Sequence, residues 1–202
     1  MASVNVIEWI HKYAKHIGSD VLEVGAKRYK DHAYLGLREF LAEKLPRSRL
    51  IGCDISAGDG VDVVLDMTAP SQVVKSALNN KTFDAVFCVS VLEHIPDDFR
   101  ALTELFRVLK PRGWAILQVP IDLSRDKTIE DTNMTMLPEE RERVFGLKEH
   151  VRLYGKDYKD RLEKAGFTVK VDTYVKELGN DVIKKYGLAK NEDIYYCVKK
   201  NS

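Results

Sequence analysis

Between Lys81 and Pro120 the chain runs apolar, polar, amphipathic, polar and apolar again, and the other segments arrange themselves around that unit. Phe83 to Val91 is short and rich in valine, the pattern of a strand buried on both faces of a parallel sheet. Pro96-Asp97-Asp98 opens a helix, and Phe99, Leu102, Phe106 and Leu109 recur at intervals of three and four, which predicts its core face. Lys110-Pro111-Arg112-Gly113 stops that helix in a turn, and Trp114 to Val119 is a second buried strand. The unit is strand, helix, parallel strand, with the polar loop Ser90 to Pro96 at the carboxyl end of its first strand. Ligands of open α/β sheets bind at such ends.

Upstream, Val6, Trp9, Ile10, Tyr13 and Ile17 share one helical stripe over residues 5 to 17, with Ser3 or Asn5 as cap and Gly18 ending the pattern. Asp20 to Gly25 reads as the first strand, with Glu23 where an apolar residue is expected. A carboxylate near the end of a buried strand needs a partner, either a core hydrogen bond or a ligand with a positive centre. After the basic loop Ala26 to Asp31, a helix through Leu37, Phe40, Leu41 and Leu45 stops at Pro46. Arg49 to Asp54 is the second strand, Ser56 to Gly60 is turn chemistry, Val61 to Leu65 is a third strand closing on Asp66-Met67, and a helix covers 70 to 79. Strands alternating with helices predict a Rossmann-like, doubly wound parallel sheet with helices on both faces.

From Ile121 to Tyr154 the alternation stops in favour of a polar loop and a short helix from Pro138 to Phe145. A long insertion without core pattern is usually functional, so acceptor contacts are expected there. Gly155 to Gly166 is again an amphipathic helix with Tyr158, Leu162 and Ala165 inward, followed by a strand over Phe167 to Val175, a helix over 177 to 186 and a last strand from Ile194 to Val198.

Composition narrows the functional classes. The 202 residues are 45% hydrophobic, enough for one core and one domain, in which residues 1–18 form an N-terminal helix and residues 121–154 a cap. A formal charge of +1 carries no footprint of a nucleic-acid partner. No apolar run reaches the roughly 18 residues of a membrane span, and the N-terminus lacks a signal-peptide core, so a cytoplasmic protein is expected. Cys53, Cys88 and Cys197 all fall within predicted strands and have no CxxC spacing, which reads as reduced core thiols.

Four segments together, VLEVG at 21 to 25, IGCDIS at 51 to 56, FDAVFCVSVLEHI at 83 to 95 and VLKPRGWAIL at 108 to 117, resemble class I S-adenosylmethionine-dependent methyltransferases. The EHI and VLKPRG segments look most like the type 11 small-molecule group related to ubiquinone-biosynthesis methyltransferases. Each motif alone is weak; their common order and spacing is specific. The resemblance implies a seven-stranded, mostly parallel sheet with an antiparallel last strand, and S-adenosylmethionine as cofactor. Its product would be S-adenosylhomocysteine. Carried over by position, Glu23, Gly25 and Ala26 would line the methionine and ribose side, and Asp54, next to Ile55, would take the ribose hydroxyls. Asp66 and Met67 would meet the adenine, and Ser90 with Val91 would flank the methionine. This sequence departs from the family in the first loop, where Lys27 and Tyr29 fill the slots of the second and third glycines. A lone Gly25 also argues against a nicotinamide enzyme, whose pyrophosphate requires the glycine turn.

Methyl transfer is an in-line displacement, so the protein's work is orientation, plus a base where the acceptor is a hydroxyl. His94 and His150 are the candidate bases, while His11, His16 and His32 read as surface or packing residues. Asp122, Asp126, Glu130 and Asp131 read as a solvated loop, and no metal is expected. The expected activity is methyl transfer to oxygen or nitrogen of a small-molecule or glycan-type acceptor; the alternative is a cofactor-binding regulatory or scaffolding module without turnover.

Overall fold

The computed structural model describes residues 18–28, Arg38, residues 48–186 and residues 192–200. The helices expected over 5 to 17 and through Leu37 to Leu45, together with Tyr29, His11, His16 and His32, lie outside the described residues. Strands β1 (Asp20–Val24), β2 (Arg49–Asp54), β3 (Val63–Val64), β4 (Phe83–Val89), β5 (Leu109–Gln118), β8 (Thr168–Asp172) and β9 (Ile194–Val198) form a seven-stranded sheet in the order β3-β2-β1-β4-β5-β9-β8. Strands β1 to β5 pair in parallel, and β9 runs antiparallel to both β5 and β8. This is the expected sheet. Within the insertion, β6 (Ile129–Glu130) and β7 (Arg152–Leu153) pair antiparallel as a separate ribbon.

One face of the sheet carries the larger core. Helices α1 (Ser71–Ala77), α2 (Asp98–Val108) and, after α3 (Pro138–Phe145) of the insertion, α4 (Tyr158–Lys164) contribute Val74, Leu102, Leu105 and Leu162 to it, against Leu22, Val86, Cys88 and Leu117 of the strands. The opposite face packs Val21, Phe87, Trp114 and Ile116, with Tyr174 of α5 (Tyr174–Glu177) against them. All three cysteines are free and buried in strands, as expected, and burial raises the Cys53 thiol to about 12. Buried Tyr158 donates its hydroxyl to Leu117 O at 3.1 Å. Tyr158→Phe leaves that acceptor one bond short and is expected to lower stability by about 1 kcal/mol in urea unfolding.

Several expected elements are corrected. Helix α2 buries Asp98, Ala101, Leu102, Leu105 and Val108, whereas Phe99 is 47% exposed and Leu109 already belongs to β5. The helix is rotated because its first residue, Asp98, is drawn inward by Tyr154 and Arg161. Lys110 to Gly113 is not a terminator but a detour within β5: the register jumps between the Phe83 and Ala85 partners, and Arg112 adopts φ 66°. Strand β3 shrinks to an edge pair with Val64 exposed. The strand expected over Phe167 to Val175 ends at Asp172, with α5 in place of its last residues, and the helix expected over 177 to 186 is α6 (Asn180–Tyr186).

Candidate active site

The sequence-predicted cofactor residues lie at or just after the carboxyl ends of β1, β2, β3 and β4. Strand register pairs Glu23 with Gly52 and Val24 with Cys53. Val24 and Cys53 point into the larger core. Alternation therefore turns Glu23 and Asp54 to the same, opposite face of the sheet. Gly25 adopts φ 78°, a conformation a side chain resists, and the amides of Gly25 and Ala26 both donate to Cys53 O at 2.9 and 3.0 Å. That turn brings the Lys27 amide to Asp54 Oδ2 at 3.2 Å. Asp54 Oδ1 accepts from the Ser56 amide at 3.1 Å, and the Ser56 hydroxyl accepts from Lys27 Nζ at 2.9 Å.

The missing glycines of the first loop have counterparts across the cleft. A Cβ on Gly52 would meet Ala26 Cβ at 2.8 Å, one on Gly58 would meet Lys27 Cγ at 2.9 Å, and one on Gly60 would meet Ala26 O. Close approach of the two loops is kept, with the small residues on the second loop instead of the first. A Cβ on Gly25 would overlap Val91 Cγ2, so Val91 closes over the turn from β4.

The adenine-side residues are more dispersed. Ile55 is 72% exposed beside Asp54, and Asp66 is exposed, accepting from the Thr68 amide and hydroxyl at 2.8 and 2.7 Å. Met67 is buried in the larger core. Ser90, at φ 55°, donates its amide to Gln118 O at 2.9 Å and so ties the ends of β4 and β5 together.

After Val91 the chain makes one 3-10 turn, Leu92–His94, and the insertion returns to lie against it. The Val151 amide donates to Glu93 O at 2.9 Å. Arg152, buried, donates from Nη1 to Leu92 O at 2.8 Å and to Ile95 O, from Nη2 to Pro96 O at 2.8 Å and from Nε to Glu130 Oε2 at 3.2 Å. Arg161 Nη2 bridges Asp98 Oδ1 at 2.9 Å and Glu130 Oε2 at 2.7 Å, and Tyr154 donates to Asp98 Oδ2 at 2.7 Å. Sequence reasoning missed Arg152 and Asp98, because a charge at a buried position leaves no local periodic signal.

The two candidate bases meet on this turn. The His94 and His150 rings stack edge to face, 4.7 Å between centroids, with His150 buried and His94 on the exposed side. Burial, then the neighbouring His150, lowers the pKa of His94. Buried Glu93 adjoins both rings, and burial lifts its carboxyl to about 7. The insertion acids each have a local partner: Asp122 with Ser124 and Arg125, Asp126 with Lys156, Glu130 with Arg152 and Arg161, Asp131 with Thr135 and Met136.

Residues 35–117 match the methyltransferase domain family. Among solved structures, a CurJ carbon methyltransferase aligns with TM-score 0.63 and 16% identity over 98% of this chain and 54% of its own. The [4+2]-cyclase SpnF aligns at 0.59 and 14% identity over 98% and 82% of the two chains. A phosphoethanolamine N-methyltransferase 2 from Haemonchus contortus, solved with S-adenosyl-L-methionine, aligns at 0.54 and 14% identity over 98% and 53%. The chain thus spans about half the length of two of these three. No curated protein matches the sequence. The sheet order and the strand-end turn, together with the family match over residues 35–117, give the chain the fold of these S-adenosylmethionine-dependent methyltransferase structures. These neighbours are a carbon methyltransferase, an N-methyltransferase and a cyclase, so likeness of fold leaves the acceptor open.

Proposed function

We propose that the chain transfers the methyl group of S-adenosylmethionine to oxygen or nitrogen of a small-molecule or glycan-type acceptor. The observation that carries this reading is the junction of β1 and β2, where the positive-φ turn at Gly25 brings the Lys27 amide to the Asp54 carboxylate. A carboxylate offers about four lone-pair positions. The bonds from Lys27, Ser56 amide and Ser56 hydroxyl are all 3.1 Å or longer, which suits exchange for two ribose hydroxyls. Glu23, Gly25 and Ala26 would then face the methionine and ribose, Ile55, Asp66 and Met67 the adenine side, and Ser90 and Val91 the donor's methionine arm. Met67 reaches adenine only if its buried side chain turns out of the core.

The acceptor's lone pair would form the new bond to the methyl carbon while the old bonding pair stays on sulfur, yielding S-adenosylhomocysteine. The chain's contribution is alignment in a dry site. The insertion 121–154 is the wall that would select the acceptor, within a single domain spanning residues 1–202. No helix among the described residues is long and apolar enough to cross a membrane. With its thiols buried and unpaired, we place the protein in the cytoplasm.

Titration calorimetry with S-adenosylmethionine, S-adenosylhomocysteine and NAD tests the reading. Heat with the first two and none with NAD is expected; the reverse rejects it. Asp54→Ala is expected to weaken binding by roughly 1–3 kcal/mol, the scale of hydrogen bonds to a charged group. An unchanged affinity removes Asp54 from the site. Binding without turnover over a broad acceptor panel would favour a scaffolding module.

A further inference from the structure

We propose that Glu93, His94 and His150 bind a divalent first-row transition-metal ion at the carboxyl end of β4. One ligand atom from each of the three residues lies within 4.8 Å of the others. Each ring already has an orienting partner: His94 Nδ1 faces Glu149 O at 3.3 Å, and His150 Nδ1 faces Phe145 O at 3.1 Å. A carbonyl only accepts, so both Nδ1 atoms carry the proton and both Nε2 atoms hold a lone pair. Metal-bound imidazoles are oriented in this way, donating their other N–H to a carbonyl or carboxylate.

The third group points to a ligand independently. Glu93 is 2% exposed, yet its Oε2 has no hydrogen-bond partner among the described residues. A buried carboxylate oxygen without a donor is unfavourable, and a cation supplies the missing positive charge. The protein has instead placed Arg152 on the carbonyls of the same turn, Leu92, Ile95 and Pro96, leaving the Glu93 side chain facing the rings. That arginine and the Val151 amide on Glu93 O tie the turn to the segment His150–Arg152, so the ligands are brought together before an ion arrives.

Two imidazoles and one carboxylate suit zinc, iron(II), cobalt(II) or manganese(II) rather than calcium or magnesium, which take oxygen ligands. Tetrahedral zinc with bonds of about 2.0–2.1 Å holds its ligand atoms roughly 3.3 Å apart. The cluster reaches that spacing by side-chain rotation, mainly of the exposed His94. Three protein ligands leave a position open for water or for an oxygen of another molecule, as in catalytic rather than structural zinc sites. With an ion present, the two histidines are ligands and not free bases.

The test uses chelator-stripped protein of residues 1–202 titrated with zinc against a competing chelator, and cobalt(II) as an absorbing substitute. One equivalent is expected, with ligand-field bands of a nitrogen and oxygen site. Glu93→Gln and His150→Ala should each weaken binding by more than the roughly 10–100-fold lost with an outer partner. His94→Ala, on the exposed side, tests the site without disturbing a buried position, and circular dichroism checks the other two. Wild-type binding equal to that of a Glu93→Gln, His94→Ala double variant overturns the proposal. Neither donor nor acceptor enters the assay, so a negative result leaves the methyl-transfer reading untouched.

Discussion

Arg152→Ala is expected to lower the free energy of unfolding by about 3–5 kcal/mol, the range for removing one partner of a buried ion pair. The guanidinium is fully buried, with the carboxylates of Asp98 at 3.7 Å and Glu130 at 3.2 Å and three backbone carbonyls as further acceptors. Truncation strands those carbonyls in a space that alanine does not fill. It also leaves Arg161 as the remaining cation bonded to Asp98 and Glu130 among the described residues. Arg152→Lys recovers only part of the loss, because a single ammonium cannot reach acceptors spread around a planar fork. Urea unfolding monitored by tryptophan fluorescence checks this; a loss below about 1 kcal/mol would show that the strap is ornamental rather than structural.

Gly25→Val is expected to remove both stability and cofactor binding. A β-branched residue at φ 78° is strained by about 1–2 kcal/mol, and its Cβ would overlap Val91, adding about 1–3 kcal/mol of overpacking. The two contributions separate: adding Val91→Ala relieves the overlap and leaves the backbone strain. Because the same turn aims the Gly25 to Lys27 amides, affinity for S-adenosylhomocysteine should fall more than about tenfold, a difference of roughly 1.4 kcal/mol. Wild-type melting temperature and affinity in the single variant would contradict this role for the turn.

How far the fold and site were legible depends on whether the signal is local. Strands β1, β2, β4 and β9 are apolar runs bounded by turn residues, and burial on both faces writes that pattern directly into sequence. Gly25 and Asp54 were singled out through the motif resemblance, and the parallel pairing of β1 with β2 sets their strand ends side by side. The face of α2 was not, since an apolar stripe through Phe99 and the true one through Ala101 and Leu105 share Leu102. Asp98 decided between them through Tyr154 and Arg161, which lie far along the chain. His94 and His150 were each visible as possible bases, but their stacking on Glu93 is a tertiary fact. The small residues that let the first loop approach its neighbour were likewise sought on the wrong loop, because sequence spacing does not say which of two touching backbones must yield space.

The insertion is pinned at a narrow neck, where the Asp131 amide donates to Val151 O at 2.7 Å and Ile129 and Glu130 pair with Leu153 and Arg152. Residues 132–149 are joined at both ends to that ribbon, and their last part, from buried Phe145 to Glu149, turns back onto the His94 and His150 rings. A different loop grafted between Asp131 and Phe145 would inherit the ribbon and the carbonyls facing both rings, so a library built there could change which molecule docks while sparing the scaffold.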